Sequence, residues 1–158
     1  KYGPFVHAKL GIAEENSGKL VTKVKQEAKK IAENKKLDYI IDDGPPGIGC
    51  PVIASLSGVN LALIVTEPTL SGIHDMQRIV DVAMHFKIDI KVVVNKYDLN
   101  IDNTKDIESM CKDKNIEVVG RIPFDKEVNS SIVELTPIVE YSKNGVSKEI
   151  SSIWGKIR

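Results

Sequence analysis

The alternation of short apolar runs with longer amphipathic stretches limits the folds that this chain can adopt. The runs are rich in β-branched residues, have the length of a buried strand and are flanked by turn residues, which is typical of parallel sheets. Four such runs lie at 38–42, 61–66, 90–95 and 117–122, and a weaker candidate strand covers 4–9.

The stretches between these runs carry apolar residues at helical spacing. They predict helices at 18–34, 71–86, 103–112 and about 145–156, with Ser71 and Asn103 as N-caps. Strands that alternate with helices of this length build a parallel sheet that is covered on both faces. The sequence therefore predicts an α/β fold, a mostly parallel sheet flanked by helices, and its 158 residues fit one domain.

Charge and composition narrow the classes of function. Acidic and basic residues balance at 22 each, so no net field steers the chain onto nucleic acid or an anionic membrane. No apolar run approaches the roughly 18 residues of a transmembrane helix, and no transmembrane segment is expected. Cys50 and Cys111 are far apart and form no CxxC pair, which argues against a disulfide framework or a metal centre in the chain. A reducing, cytoplasmic location is expected.

The segment 42–49 follows a predicted strand, and parallel sheets bind ligands beyond the carboxyl ends of their strands. An aspartate at a strand end, here Asp42 or Asp43, can hold a magnesium ion through a water molecule. The glycines that follow allow backbone amides to approach a terminal phosphate, because no Cβ intervenes. A turn between strand and helix with a capping aspartate is the alternative interpretation.

Two further strand ends predict a site for a nucleotide base. Asn95 and Asp98 belong to the string N-K-x-D, in which an asparagine donor and acceptor and an aspartate acceptor can read a purine edge. Pro123 and Phe124 follow the last predicted strand and can form a wall beside the base. Turn residues that only cap and end these strands are the alternative.

Taken together and in this order, these segments resemble the MinD/ParA/Mrp group of deviant Walker-A P-loop ATPases, which includes the CobQ/CobB nucleotide-binding domains. The matching stretches are GPFVHAKLGIAEENSGKLV, DYIIDDGPPGIGCPVIASLSGVNLALIVTEPTLSGIHDMQRIV and VVVNKYDLN, followed by IPFD. The resemblance is strongest to the members that carry an inserted ferredoxin-like domain. It implies a Rossmann-like three-layer P-loop NTPase domain, of which residues 1–158 are the C-terminal part.

The resemblance also implies roles for individual residues. Asp43 falls at the Walker-B aspartate, which serves catalysis by holding magnesium through water, and Gly47 at the glycine whose amide faces the γ-phosphate. Asn95 corresponds to the base-contacting asparagine, and Pro123 lies in the base-flanking loop. Asp98 matches the guanine-reading aspartate of NKxD GTPases, although the resembling family mostly uses adenine nucleotides.

Glu67, Pro68 and Asp75 lie in a segment that resembles the dimer-facing surface of the family, so a homodimer is expected of the full-length protein. Asp42 departs from the family pattern, because a third apolar residue is more common there.

The phosphate-binding string G-x-x-x-x-G-K-S/T is absent from these 158 residues, as is the cysteine-rich cluster domain. Both are expected N-terminal to Lys1 in a full-length relative. ATP or ADP with magnesium is therefore expected in the full-length protein, and any 4Fe–4S clusters in the absent inserted domain. No cofactor is expected to bind tightly to this chain alone.

Three hypotheses about function follow. The first is a fragment of a MinD-like ATP-binding and hydrolysing switch protein, coupled to iron–sulfur cluster handling or electron transfer. On this hypothesis the full-length protein is the enzyme, and the isolated chain is inactive. The second is a GTPase-like domain that reads guanine through Asn95 and Asp98. The third is a non-catalytic interaction domain that has lost the phosphate-binding loop.

Overall fold

A computed structural model describes residues 3–8, 18–143 and 145–158 of the chain. They fall into two compact units, within residues 1–60 and 61–158. In the first unit, α1 (Gly18–Lys35) packs against α2 (Cys50–Leu56). A Cβ at Gly18 would lie 3.2 Å from the carbonyl oxygen of Cys50, so the missing side chain lets the two helices approach closely.

The strand predicted at 38–42 is wrong. This segment forms neither helix nor strand, and Tyr39, Ile40 and Ile41 are 55%, 50% and 79% exposed. A strand exists only as part of a hydrogen-bonded ladder, and the described residues of the first unit include no strand to pair with it. The strand predicted at 4–9 is likewise not formed at residues 4–8, and Lys9 lies outside the described residues.

The second unit contains the sheet and the remaining described helices. Its elements are β1 (Leu61–Thr66), α3 (Leu70–His85), β2 (Asp89–Asn95), a 3-10 turn (Tyr97–Leu99), α4 (Ile101–Asp113), β3 (Glu117–Ile122), α5 (Lys126–Val133), α6 (Ile138–Tyr141) and α7 (Val146–Ile157).

The three described strands are parallel and lie in the order β1-β2-β3. Leu61 pairs with Asp89 at one end of the β1–β2 ladder, and Asn95 pairs with Ile122 at the far end of the β2–β3 ladder. All three strands therefore present their carboxyl ends at the same edge. The sheet, flanked by helices, confirms the predicted α/β fold.

The core of the second unit is centred on β2. Val92, Val93 and Val94 are at most 1% exposed, because a central strand is covered on both faces. On β3, Gly120 leaves room for Ile153 of α7, since a Cβ at Gly120 would lie 2.4 Å from Ile153 Cγ1. The last helix is therefore packed directly onto the backbone of β3.

The four predicted helices are confirmed, but two of the predicted caps are wrong. The hydroxyl of Thr69, not Ser71, accepts the hydrogen bond that begins α3, from the amide of Gly72. Asn100, not Asn103, caps α4, and its side-chain oxygen accepts from the amide of Asn103. Several polar residues precede each helix, and the sequence does not show which adopts the extended cap conformation. None of the described helices is long and apolar enough to cross a membrane.

Leu135, two residues beyond the end of α5, has an unfavourable conformation, with φ of 51°, and 92% of its surface is exposed. Its amide donates to the carbonyl of Ile132, and the amide of Thr136 donates to Ser131, which is the hydrogen-bond pattern that favours glycine. Leu135→Gly is therefore expected to raise the free energy of unfolding by about 0.5–1 kcal/mol. Urea unfolding measures the change. Val133→Gly is the matched control, since Val133 is the exposed last residue of α5 and glycine there should destabilise.

Candidate functional site

The first unit carries the predicted magnesium and phosphate loop. Asp43 and Gly47 are both exposed in the irregular segment that leads into α2. Gly47 has φ of 89°, which side-chain-bearing residues rarely adopt, and a Cβ there would meet nothing within 4 Å. The backbone turn, and not crowding, therefore requires glycine at this position. Pro51 then stabilises the first turn of α2.

The two adjacent aspartates of this loop have different surroundings. The carboxylate of Asp42 lies 3.0 Å from the ammonium of Lys25, on α1. Among the described residues, Lys25 pairs with Asp42, whereas no partner contacts the Asp43 carboxylate by hydrogen bond or ion pair.

Asp43 fits a magnesium ion that arrives with a nucleotide. Such an ion takes one or two protein carboxylates, and phosphates and waters complete its octahedron. Within the described ranges, no cluster of three His, Cys, Asp or Glu side chains is placed to hold a metal on its own. One exposed carboxylate on an open loop matches a site in which phosphates and waters supply most of the magnesium ligands. It does not match a site in which the protein supplies all of them.

The second unit brings together all four residues of the predicted base site. Asn95 ends β2 and pairs with Ile122, the last residue of β3, so the loops that follow start side by side. Asn95 and Pro123 are half-buried, and Phe124 is 46% exposed. Parallel pairing of β2 and β3 therefore places an amide side chain and an exposed aromatic ring at one edge of the sheet.

Asp98 joins these two loops directly. Its Oδ1 atom accepts a hydrogen bond of 2.8 Å from the backbone amide of Phe124. A guanine-reading aspartate needs both oxygens for the base, because guanine presents two neighbouring N–H donors. In this conformation one oxygen of Asp98 also holds the backbone amide of Phe124, so Asp98 has a structural task besides any contact with a base.

A second set of contacts joins the loops after β1 and β2. The ammonium of Lys96 lies 2.7 Å from the carboxylate of Glu67, and Lys96 has φ of 52°. The side-chain amide of Asn103 donates to the carbonyl of Pro68 at 2.9 Å. Of the predicted dimer-facing residues, Glu67 and Pro68 thus make intrachain contacts, whereas Asp75 is exposed beside His74.

Sequence reasoning missed Lys25 and Arg121. Lys25 lies in a lysine-rich helix, so its own sequence context does not distinguish it. The one sequence feature that indicates such a residue is the unusual carboxylate at Asp42, which is expected to pair with a cation. Arg121 forms a two-point ion pair with Glu108, at 2.5 and 2.8 Å, and lies 6.0 Å from the ring centre of Tyr97. These contacts support the 3-10 turn that carries Asp98, and no local sequence pattern indicates them.

The two cysteines differ in environment. Cys111 is buried in α4, where burial and the charge of Glu108 raise the pKa of its thiol to about 11. The thiol therefore stays protonated at neutral pH and is a poor nucleophile and metal ligand. Cys50 is exposed at the start of α2.

Comparison with known proteins assigns the chain to a family. The family model for ParA, described as NUBPL iron-transfer P-loop NTPase, matches residues 16–158. An uncharacterised protein of Methanocaldococcus jannaschii is 31% identical over 155 residues, 98% of this chain and 51% of the relative. The septum site-determining protein MinD of Bacillus subtilis is 28% identical over 144 residues, 88% of this chain and 50% of that protein.

An iron–sulfur cluster carrier protein of Pyrococcus abyssi is also similar, at 26% identity over 152 residues, which are 89% of this chain and 52% of the carrier. The chain thus spans about half the length of these curated relatives.

Solved structures agree on the fold. MinD in the MinC:MinD cell division complex of Aquifex aeolicus superposes with a TM-score of 0.73 at 25% identity, over 91% of this chain and 59% of that chain. MinD of Pyrococcus horikoshii, complexed with Mg-ADP, has a TM-score of 0.70 at 18% identity, over 89% of this chain and 56% of that chain. The family match covers nearly the whole sequence, and the strands and helices are those of a Rossmann-like fold. The chain belongs to the ParA family of P-loop NTPases, of the MinD/ParA type.

Proposed function

We propose that this chain forms the magnesium-holding, phosphate-sensing and base-binding part of a MinD-like ATP-hydrolysing switch protein. The observation that carries the proposal is the pair of neighbouring aspartates, in which Lys25 holds Asp42, whereas no described residue forms an ion pair or hydrogen bond with the Asp43 carboxylate. Gly47, in a left-handed conformation, supports a close approach of the loop backbone to a terminal phosphate.

Each group of residues has a distinct task in this proposal. Asp43 would hold a magnesium ion through water, and the ion would supply positive charge to the phosphates of a bound nucleotide. The amide of Gly47 donates to the γ-phosphate, so loss of that phosphate on hydrolysis changes the loop. Asn95 offers a donor and an acceptor to the base, and Pro123 and Phe124 exclude water from one side of it.

Coupling to iron–sulfur cluster handling is the second part of the proposal. It is supported by the iron-transfer description of the family model and by the carrier protein of Pyrococcus abyssi. Because Cys111 is buried and the two cysteines form no CxxC pair in the sequence, cluster ligands would come from elsewhere in the full-length protein.

A GTPase-like domain is the alternative, favoured by the literal string N-K-x-D. The hydrogen bond from the Phe124 amide to Asp98 Oδ1 gives Asp98 a structural task that does not depend on guanine, and the resembling family mostly uses adenine nucleotides. The full-length protein is therefore expected to hydrolyse ATP with magnesium and to bind ATP more tightly than GTP. Competition of both nucleotides for a fluorescent ADP analogue tests the preference, and a higher affinity for GTP would contradict the proposal.

Asp98→Ala separates the two roles of this residue. If Asp98 positions Phe124, its removal loosens the base wall and lowers the affinities for ATP and GTP by about the same factor, roughly 10-fold or less. If Asp98 reads guanine, only the affinity for GTP falls. Asp102→Ala is the matched control, since Asp102 is 92% exposed and pairs only locally with Lys105. It should leave both affinities unchanged.

A further inference from the structure

Lys25 stands apart from the other lysines of α1. Its side chain is 18% exposed, whereas those of Lys29 and Lys30 are 73% and 64% exposed and pair with glutamates of the same helix. The long aliphatic part of Lys25 is therefore packed, and its charge is directed at fixed partners.

The ammonium of Lys25 contacts three acceptors at once. It lies 3.0 Å from Asp42 Oδ2 and 3.1 Å from the carbonyl oxygen of Ser57, and it donates a short hydrogen bond to the carbonyl of Ser55. An ammonium has three donors, so these contacts satisfy Lys25 completely.

The three acceptors of Lys25 flank the loop 43–49 and the helix that follows it. Asp42 immediately precedes the loop 43–49, and Ser55 and Ser57 lie at the carboxyl end of α2, which follows that loop. The last carbonyls of a helix lack partners within the helix and carry partial negative charge. One ammonium group therefore contacts both the residue that precedes the phosphate loop and the carboxyl end of the helix that follows it.

We propose that Lys25 is the positioning residue of the magnesium site. This inference rests on the proposed role of Asp43, and it concerns a residue that touches neither metal nor nucleotide. Lys25 neutralises Asp42, so that Asp42 does not compete with its neighbour Asp43 for the metal. By holding the carboxyl end of α2 as well, it fixes where Asp43 and Gly47 stand before the nucleotide arrives.

Lys25→Met removes the charge and keeps most of the packing. In the full-length protein we expect the magnesium concentration for half-maximal ATP turnover to rise about 10-fold, the usual scale for a residue that orients a metal ligand. Lys25→Arg retains a cation and should stay close to wild type. Lys30→Met, which breaks the exposed pair with Glu27, is the matched control and should leave the magnesium requirement unchanged.

Two further variants test the same inference if Lys25→Met folds poorly. Asp42→Asn removes the same ion pair from the other side. The double variant Lys25→Met/Asp42→Leu removes both charges and places an apolar residue at 42. If the task of Lys25 is to control Asp42, the double variant should require less magnesium than Lys25→Met alone, within about 3-fold of wild type.

A readout that does not depend on hydrolysis separates this inference from the proposed function. Manganese binding to the ADP-loaded protein, followed by electron paramagnetic resonance, should weaken about 10-fold in Lys25→Met and not in Lys30→Met. If manganese binding is weakened in Lys25→Met but the wild type does not turn over ATP, the proposed hydrolysis is wrong and the positioning role of Lys25 is supported. A lower melting temperature with unchanged magnesium and manganese dependence would overturn the positioning role, since Lys25 would then only hold α1 against α2.

Discussion

Replacing Asp43 with asparagine is expected to lower ATP turnover by the full-length protein on the order of 100-fold. Asparagine keeps the shape of the side chain and loses the negative charge that holds the magnesium ion. The fold should not change, because Asp43 is exposed and its side chain makes no hydrogen bond or ion pair with the described residues. Steady-state phosphate release at saturating ATP and magnesium measures the loss, and thermal unfolding measures the stability.

Asp42→Asn is the matched control for this prediction, since it makes the same change one residue earlier. Asp42 is already paired with Lys25, so the variant loses an ion pair and not the metal carboxylate. We expect a smaller loss of turnover and a small loss of stability, about 1 kcal/mol or less. If Asp42→Asn proves the more severe variant, the metal is held at 42 and the proposed role of Asp43 fails.

The three strands of the second unit could be predicted from sequence because each contains a short run of apolar, mostly β-branched residues. Ile64, Val92 and Val119 are buried, and a run of β-branched residues of this length has few other stable environments. The pattern at 38–42 is just as apolar, yet it forms no strand. An apolar run shows that burial is favourable, but a ladder also needs a neighbouring strand, which the run itself does not reveal.

The short helices α2, α5 and α6 were not predictable from periodicity. The sequence of α5, KEVNSSIV, contains asparagine and two serines, which have weak helix propensity. Asp125 caps it by accepting from the amide of Glu127, and Ser131 is buried against the carbonyl of Val128. A side-chain cap and packing against α6 therefore stabilise a helix that its composition does not favour.

The candidate site, like the fold, could be predicted only in part from local sequence. Asp43, Gly47 and Asn95 could be selected because local strings place each of them at the end of an apolar run or in the loop that follows it. The contacts of Lys25 with Asp42 and Ser57, and of Asp98 with Phe124, join residues as far as 32 and 26 positions apart. Such pairs depend on how the elements pack, and no local spacing encodes them.

Gly72→Ala is expected to be the most destabilising of the small substitutions in the second unit. Gly72 lies in the first turn of α3, where a Cβ would stand 2.4 Å from the carbonyl oxygen of Glu67. It would also stand 3.1 Å from the hydroxyls of Thr66 and Thr69. Backbone atoms cannot swing aside as a long side chain can, so the whole loop after β1 must shift.

That loop is held at several points, which is why the shift is costly. The hydroxyl of Thr66 donates to the carbonyl of Gly72, the hydroxyl of Thr69 accepts from its amide, and Glu67 is paired with Lys96. We expect Gly72→Ala to lower the free energy of unfolding by about 2–3 kcal/mol, measured by urea unfolding. Gly155→Ala in α7 is the matched control, because a Cβ there meets nothing within 4 Å and alanine favours the helix. The two identical changes should thus move the urea midpoint in opposite directions, and a Gly72→Ala protein as stable as wild type would show that the loop after β1 yields more easily than its contacts imply.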